Sequence, residues 1–535
     1  MFVPIPTPEE MSCWDAGAAA LGISEETLME NAAREAMSVF RHYAGVLTGL
    51  RVLLLAGSGN NGGDAFCMAR HLLDAGASPT LVCTRDFSKC GGAAGHWFLV
   101  AKSLGIPIIP AKLWMEDGDF EKPDAVIDGL LGTGFHGVLR NEAEQLIRRL
   151  NKLHPRLLLS LDIPSGLDAH TGSPCPDAIR ADVTVTFQAA KPGLLFPDAA
   201  EFTGVLEVRP IGIPRQVQAA TPESFRTWLC PGQSMDAAAP WTLRTTAHTE
   251  YISTQSPLPA LQHSPAHKGE AGRVLILGGS AEYSGAPHLA AIAAMRAGAG
   301  LITISGPDPV LNAARSNPAW ITKSPAVAAP CPTWDEASPE ILPTLLHGVH
   351  AAVIGPGLDT GKGAVAMLTA LLSLQKRPPL VIDAGALAIL AEHPRLLPLL
   401  SPHDILTPHP GEAARLLGTT SGEVQSDRIN ALNKLTKLAT AVWVLKGKGT
   451  LIAVPQKASV ISPWNVPQLA VAGSGDVLSG LAGALLAQGH TAETAAVRSV
   501  WIHALAGIKL AEQFPSRGNF PQDIADTIPS ICTFL

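Results

Sequence analysis

Short apolar runs recur along the chain with helical patterns between them, the alternation produced by a parallel β-sheet covered on both faces. In the first half they fall at residues 52–55, 80–83, 125–128, 157–162 and 182–187. Phe66, Ala69, Leu72 and Leu73 keep helical spacing between the first two runs, and Leu146, Ile147 and Leu150 keep it before the fourth. After Pro214 the pattern fails. Residues 215–265 mix Ser, Thr, Pro and Ala with few apolar runs, which predicts an interdomain linker. Alternation resumes at 273–279, 301–305, 351–354, 380–383, 441–445 and 451–454. The predicted class is α/β in two domains. The second does not repeat the first, because its glycine clusters differ in sequence and position.

Composition narrows the partners. A chain of 535 residues exceeds one ordinary core, and 47% hydrophobic against 16% charged residues leaves ample surface to bury. A net charge of −7 and a pI near 6.2 lack the basic face that nucleic acid demands. No apolar run approaches a membrane span, and Glu9 and Glu10 stand where a secretory signal would be basic. Eight cysteines (Cys13, Cys67, Cys83, Cys90, Cys175, Cys230, Cys331, Cys532) show no Cys-x-x-Cys or disulfide-framework spacing and read as reduced thiols. The expectation is a cytoplasmic protein with no nucleic-acid or membrane partner. His263 and His267 have metal-like spacing, but Pro265 between them and the lack of a third ligand argue against zinc. Around Lys362 a P-loop fails, since Pro356 stands where Gly is needed and Gly363 where Ser or Thr is needed. Trp501 and His503 sit in an apolar helical run and read as core.

Candidate chemistry gathers where the apolar runs end. Residues 57–64, Gly-Ser-Gly-Asn-Asn-Gly-Gly-Asp, follow one run and open a helical pattern. Glycines let the backbone approach a pyrophosphate, and the N–H groups of the helix start attract its charge. Asn60, Asn61 and Asp64 add side-chain oxygens that a plain dinucleotide loop would not need, which points to chemistry or cation binding beside the phosphate. Three more clusters, at 128–134, 162–168 and 191–193, also end apolar runs. In open α/β sheets the carboxyl ends of strands form the ligand crevice, so these clusters are expected to converge. In the second half, residues 473–480, Gly-Ser-Gly-Asp-Val-Leu-Ser-Gly, place Asp476 at the start of an apolar helix. This predicts an anion hole with a base beside it, suited to phosphoryl transfer. Lys446-Gly-Lys-Gly-Thr450 and Thr407-Pro-His-Pro-Gly-Glu412 supply further charge and a His.

Residues 28–36, 60–64, 128–134, 161–168 and 181–187 resemble the NAD(P)H-hydrate epimerase family, over residues 1–213. That resemblance implies a Rossmann-like doubly wound sheet that binds hydrated NADH or NADPH. It further implies potassium held by Asn61, Asp128 and Ser165. The dinucleotide would lie against Asn60, Asn61, Gly62, Gly63 and Asp64 and against Gly132, Thr133, Gly134, Phe135, His136, Gly137 and Val138, with Asp162 as the catalytic group facing the ring. Beyond a linker at 214–244, residues 245–535 resemble the ribokinase-like ADP-dependent NAD(P)H-hydrate dehydratases, an α/β/α fold. The motifs are 267–269, 278–280, 283–286, 355–358, 406–413, 446–450 and 473–480. Many kinases of that fold share Gly-x-Gly-Asp, whereas the His-Pro-Gly-Glu loop points to the dehydratase. By this resemblance Ala286, Gly357, His409 and Asp476 contact the hydrated nucleotide, with Asp476 catalytic. Lys446, Gly447, Lys448, Gly449, Thr450 and Gly475 bind ADP with magnesium. Ala65, His170 and Gly385 depart from the family pattern. The expected function is repair of hydrated NADH and NADPH by a self-associating enzyme, with ADP or ATP as phosphoryl donor left open. Two alternatives stand beside it: an NAD-dependent dehydrogenase, and a ribokinase-like small-molecule kinase with an N-terminal nucleotide-binding module.

Overall fold

The structure is a computed structural model of the whole chain. It describes all residues except 1, 88–90, 117–120, 140, 223, 229–240, 245–270, 317–318, 329, 455 and 533–535. His263, His267, the 267–269 motif, Cys90 and Cys230 lie outside the described residues. Contacts divide the chain into two compact units, Met1–Thr246 and Ala247–Leu535.

In the first unit the strands are β1 (Phe2–Pro4), β2 (Arg51–Ala56), β3 (Ser78–Cys83), β4 (Ile108–Pro110), β5 (Ala125–Gly129), β6 (Leu157–Leu161), β7 (Val183–Phe187), β8 (Val205–Arg209), β9 (Phe225–Trp228) and β10 (Trp241–Arg244). The central sheet runs β10-β8-β7-β6-β5-β2-β3-β4. Its pairs are parallel except for β10, which lies antiparallel on β8. Side chains alternate across it with the strand period of two. Val52, Leu54 and Ala56 enter one buried cluster, while Leu53 and Leu55 enter another on the opposite face. Burial on both faces is why these strands are mostly apolar. Strand order reverses between β2 and β5, which opens a crevice at their carboxyl ends. Gly57 closes the base of that crevice: a Cβ there would fall 1.6 Å from the Leu130 carbonyl oxygen, so only glycine lets the two loops meet.

Within the stretch read as a linker, the structure places a helix (Arg215–Ala220) and the strands β9 and β10. β9 pairs antiparallel with β1, and β10 extends the edge of the central sheet. Strands this short pair through backbone hydrogen bonds and need no apolar run, so composition did not signal them.

The strands of the second unit are β11 (Arg273–Leu277), β12 (Leu301–Ser305), β13 (Ile321–Lys323), β14 (Ala351–Ile354), β15 (Leu380–Ile382), β16 (Ile405–Leu406), β17 (Val442–Leu445), β18 (Leu451–Ala453) and β19 (Ser459–Ile461). They run β19-β18-β17-β16-β15-β14-β11-β12-β13, parallel from β13 to β17 and antiparallel beyond. The order reverses again, between β11 and β14. Trp501 and His503 are buried on the helix Ala492–Leu510, as expected. No helix among the described residues is long and apolar enough to cross a membrane.

The helix Ser474–Ala487 packs on Ala286–Arg296 so closely that a Cβ on Gly480 would lie 2.0 Å from the Ala290 carbonyl oxygen. Because backbone meets backbone there, no side chain can yield. Gly480→Ala is expected to destabilise the second unit by about 2 kcal/mol or more, as overpacked cores do, read as a lowered urea midpoint. An unchanged midpoint would show that the helices separate at no cost.

Candidate active sites

A cavity of about 840 Å³ occupies the first crevice. Its walls include Ser58, Gly59, Asn60, Asn61 and Asp64 from the glycine-rich loop and the start of the helix Asn60–Asp74. Leu130, Leu131, Gly132, Thr133, Gly134, Phe135, His136 and Val138 follow from the loop after β5, and Asp162 from the end of β6. Gly62, Gly63 and Gly137 are not among the lining residues. Gly62 and Gly63 serve close packing of the helix start instead; a Cβ on Gly62 would meet the Gly57 carbonyl at 2.1 Å, and one on Gly63 the Met29 side chain at 2.6 Å.

Asp162 has left-handed backbone, φ 59°, which aspartate tolerates better than most residues and which ends β6 one residue sooner than its apolar run suggested. Its Oδ1 accepts from Lys191 Nζ (2.5 Å), Thr186 Oγ1 (3.0 Å) and the Phe187 N–H (3.3 Å). All three bonds fall on one oxygen. Lys191, only 2% exposed, also donates to Thr186 Oγ1 and the Phe187 carbonyl. Such a buried ammonium is stable only against a charge, and Asp162 supplies it. The sequence had marked the 191–193 cluster without giving Lys191 a role. It had also passed over Asp15, which reaches the same cavity from the helix Pro8–Ala20. Water reaches the Asp15 carboxyl, yet the cavity wall strips part of its hydration and pushes it up to about 6, against Lys191 and with Asp162 adding repulsion.

Below the cavity lies Asp128, fully buried. Its Oδ1 accepts from Ser165 Oγ (2.6 Å) and the Leu130 N–H, and its Oδ2 from Ser160 Oγ and the Ser165 N–H. Burial raises its pKa and these donors oppose the rise. Asn61 spends its amide N–H groups on the Leu131 and Leu161 carbonyls, which leaves Oδ1 buried without a partner. An orphaned amide oxygen near a buried carboxylate and a hydroxyl is an all-oxygen donor set, the kind hard cations take. The residues present therefore fit potassium.

In the second unit a cavity of about 610 Å³ is lined by His409, Lys446, Gly447, Lys448, Thr450, Ser474, Gly475 and His503, with Trp464, Leu469 and Val500 giving it an apolar wall. Gly449 and Asp476 do not line it. Ala286 and Gly357 stand apart, beside one another: a Cβ on Gly357 would lie 3.1 Å from that of Ala286. Lys446 Nζ donates to Asp383 Oδ1 at 2.7 Å and lies 3.9 Å from Glu412 Oε2. Burial works against its charge, but Asp383 and Glu412 outweigh it and hold the pKa above the ordinary value. Ser479 Oγ donates to the other Asp383 oxygen at 2.6 Å. Asp476, in the first turn of Ser474–Ala487, is pushed up to about 7 by burial and by Asp383, with Lys446 opposing. His409 caps the helix Pro410–Leu417, its Nδ1 accepting from the Gly411 and Glu412 N–H groups; burial and then Lys446 lower its pKa, so the ring is neutral with its proton on Nε2. Arg428 braces the phosphate-type loop by donating to the Leu445, Lys446 and Gly449 carbonyls. Sequence reading assigned no role to Arg428, Ser479 or Asp383. Asp383 carried the one available signal, a carboxylate ending an apolar run.

Two cavities at strand tips, each with a lysine shielded from solvent and facing several carboxylates, define a two-site α/β enzyme. Residues 25–193 match the family described as YjeF-related protein N-terminus, and residues 274–530 the NAD(P)H-hydrate dehydratase family. The bifunctional NAD(P)H-hydrate repair enzyme of Moorella thermoacetica is 36% identical over 94% of this chain and 92% of its own. That of Coxiella burnetii is 34% identical over 94% of each. The chain belongs to the family of bifunctional NAD(P)H-hydrate repair enzymes. It is an epimerase in the first unit and a dehydratase in the second, each an α/β unit. Among solved structures, an ADP/ATP-dependent NAD(P)H-hydrate dehydratase from Bacillus subtilis is 25% identical over 52% of this chain and 95% of that one, with a TM-score of 0.43.

Lys191→Met leaves Asp162 without its cation in a left-handed turn. We expect a loss of about 3 kcal/mol from the first unit, the scale seen when one partner of a buried pair is removed, measured by denaturant unfolding. A loss under about 0.5 kcal/mol would mean that water replaces the ammonium freely.

Proposed function

We propose that the first site interconverts the two epimers of hydrated NADH and NADPH, and that the second dehydrates the S epimer at the expense of ADP. In the second site the Asp476 carboxylate takes the proton of the ring hydroxyl as its oxygen attacks the terminal phosphorus of ADP, and AMP leaves. The ring nitrogen's electron pair then expels phosphate, and loss of a proton from the neighbouring ring carbon restores the dihydropyridine. Lys446 and the N–H groups at the start of Ser474–Ala487 offset the phosphate charge, and ADP enters as its magnesium complex. His409, Gly357 and Ala286 are assigned to the hydrate, and Lys446, Gly447, Lys448, Gly449, Thr450 and Gly475 to ADP. The observation that carries this reading is an Asp476 carboxyl poised at about 7 beside the half-buried Lys446, which is where a base working at neutral pH is most effective.

In the first site Asp162 moves the proton, and Asn60, Asp64, the Gly62–Gly63 turn and residues 132–138 hold the dinucleotide. Potassium at Asn61, Asp128 and Ser165 would offset the buried carboxylate and anchor the loops that meet there. The six described cysteines are unpaired thiols, in keeping with a reducing cytoplasm.

Incubation with hydrated NADH, magnesium and ADP is expected to restore near-ultraviolet absorbance, with ATP and no nucleotide as controls. Return without nucleotide, or none with either, would sink the dehydratase assignment. Because Asp476 must be ionised to act, activity is present above its pKa and falls about tenfold per unit as pH drops below about 7. Asp476→Asn should cost at least about a hundredfold in kcat; a normal rate would remove the residue from the mechanism. Epimerisation should be faster in potassium than in tetramethylammonium salts, and Asn61→Ala should abolish the difference. Equal rates in both salts for the unaltered enzyme would speak against the ion.

A further inference from the structure

Asp64 stands out among the lining residues of the first cavity. Its side chain is 8% exposed, faces the cavity, and makes no hydrogen bond or ion pair among the described residues. A buried carboxylate without donors is far costlier than a buried carboxylic acid. Near the start of a helix a carboxylate would ordinarily be held ionised by the dipole, but the surroundings of Asp64 work the other way. Asp162 faces it from the end of β6 and Asp15 from the helix Pro8–Ala20. Cys67 follows on its own helix, and its thiol is no source of positive charge. Lys191 is the cation set against these groups, and it is already bonded to Asp162.

We infer that Asp64 is a second catalytic residue of the epimerase site, giving a proton to the hydroxyl of the hydrate while Asp162 accepts one from the entering water. This rests on the epimerase reading and deepens it. The hydroxyl-bearing carbon adjoins the ring nitrogen. As the Asp64 proton reaches the hydroxyl, the C–O bond breaks with both electrons going to oxygen. Water departs, and the nitrogen lone pair closes a C=N bond to give an iminium ion. Water then adds to the opposite face: an oxygen lone pair forms the new C–O bond, the C=N pair returns to nitrogen, and the surplus proton passes to Asp162. One proton has moved from Asp64 to Asp162, and the reverse reaction runs with the roles exchanged. The division of labour follows from the surroundings. Burial, then Asp162 and Asp15, raise the Asp64 pKa well above the carboxylate range and keep the group protonated, whereas the Lys191 ammonium stays bonded to Asp162. Two carboxyls in one cavity, one bonded to an ammonium and the other buried without a donor, are what acid–base assignments rest on.

The test follows conversion of R hydrate to S hydrate by chromatography, with the full chain and no ADP so that the dehydratase is idle, corrected for the uncatalysed rate. Asp64→Asn is expected to lower kcat at least about a hundredfold, within the range general acids contribute, with KM changed less than about threefold. The unaltered enzyme should lose activity at alkaline pH as Asp64 ionises, and Asp64→Glu should recover part of the rate. A kcat within about threefold of normal in Asp64→Asn overturns the inference. So does a loss confined to KM, which would mark Asp64 as a dinucleotide ligand only. If Asp64→Asn shows no cooperative thermal transition, the unaltered enzyme decides: a kcat that stays level or climbs through the alkaline range overturns the assignment. Failure of the unaltered enzyme to exceed the uncatalysed rate overturns the epimerase reading itself, and the inference with it.

Discussion

Each unit depends on one ammonium, buried at Lys191 and half-buried at Lys446, that faces more than one carboxylate. Opposite charges 4 Å apart attract by about 4 kcal/mol at an effective dielectric near 20, and like charges repel equally. One lysine therefore pairs with its nearest carboxylate and leaves the next to be governed by burial. Lys191 bonds Asp162, and Asp64 is pushed up. Lys446 bonds Asp383, and Asp476 is pushed up. The same arithmetic yields a protonated acid in one site and a base near neutrality in the other, because Asp64 is sealed more completely than Asp476, which remains half-buried at its helix start.

That arrangement needs carboxylates and lysines brought together from distant stretches, and the sheets do this. Asp128, Asp162 and Asp383 each end or directly follow a parallel strand that is buried on both faces and mostly apolar. A charged group has no water along such a strand, so carboxylates collect at its tip. Reversal of strand order then parts the neighbouring connections and leaves space above those tips. Close backbone approach completes the floor, as at Gly57, where the loops after β2 and β5 touch.

How much of this was legible follows from the same physics. Strands buried on both faces announce themselves as apolar runs, and β2, β3, β5, β6, β7, β12, β14 and β17 fall where such runs predicted them, within a residue or two. The two residues of β16 and the short strands β4, β9, β10 and β19 carry too little apolar sequence to stand out. Loop residues such as Asn60, Asn61 and Asp64 were legible because glycine clusters at a strand end have few other uses. Their partners were not. Lys191 is 29 residues from Asp162, and Lys446 is 63 from Asp383, and no local pattern ties an ammonium to a carboxylate across such gaps. Asp15 gave no signal at all, since an exposed acid on a helix is ordinary until the fold sets it over a cavity.

Joining the two units in one chain places a constraint on both sites. Epimerisation needs Asp64 to keep its proton, while dehydration needs Asp476 to lose its own. A pH that ionises Asp476, near 7, must leave Asp64 protonated. The structure meets this by depth: Asp64 is buried without a donor, with Lys191 opposing Asp162 and Asp15, whereas Asp476 is half-buried, with Lys446 opposing Asp383 and Glu412. A substitution that added a cation near Asp64 would favour its ionised form and remove the acid from the first site, and one that removed Lys446 would favour the protonated form of Asp476 and remove the base from the second. Depth of burial, with a lysine set against the second carboxylate in each site, is thus what lets both reactions run in the same solution.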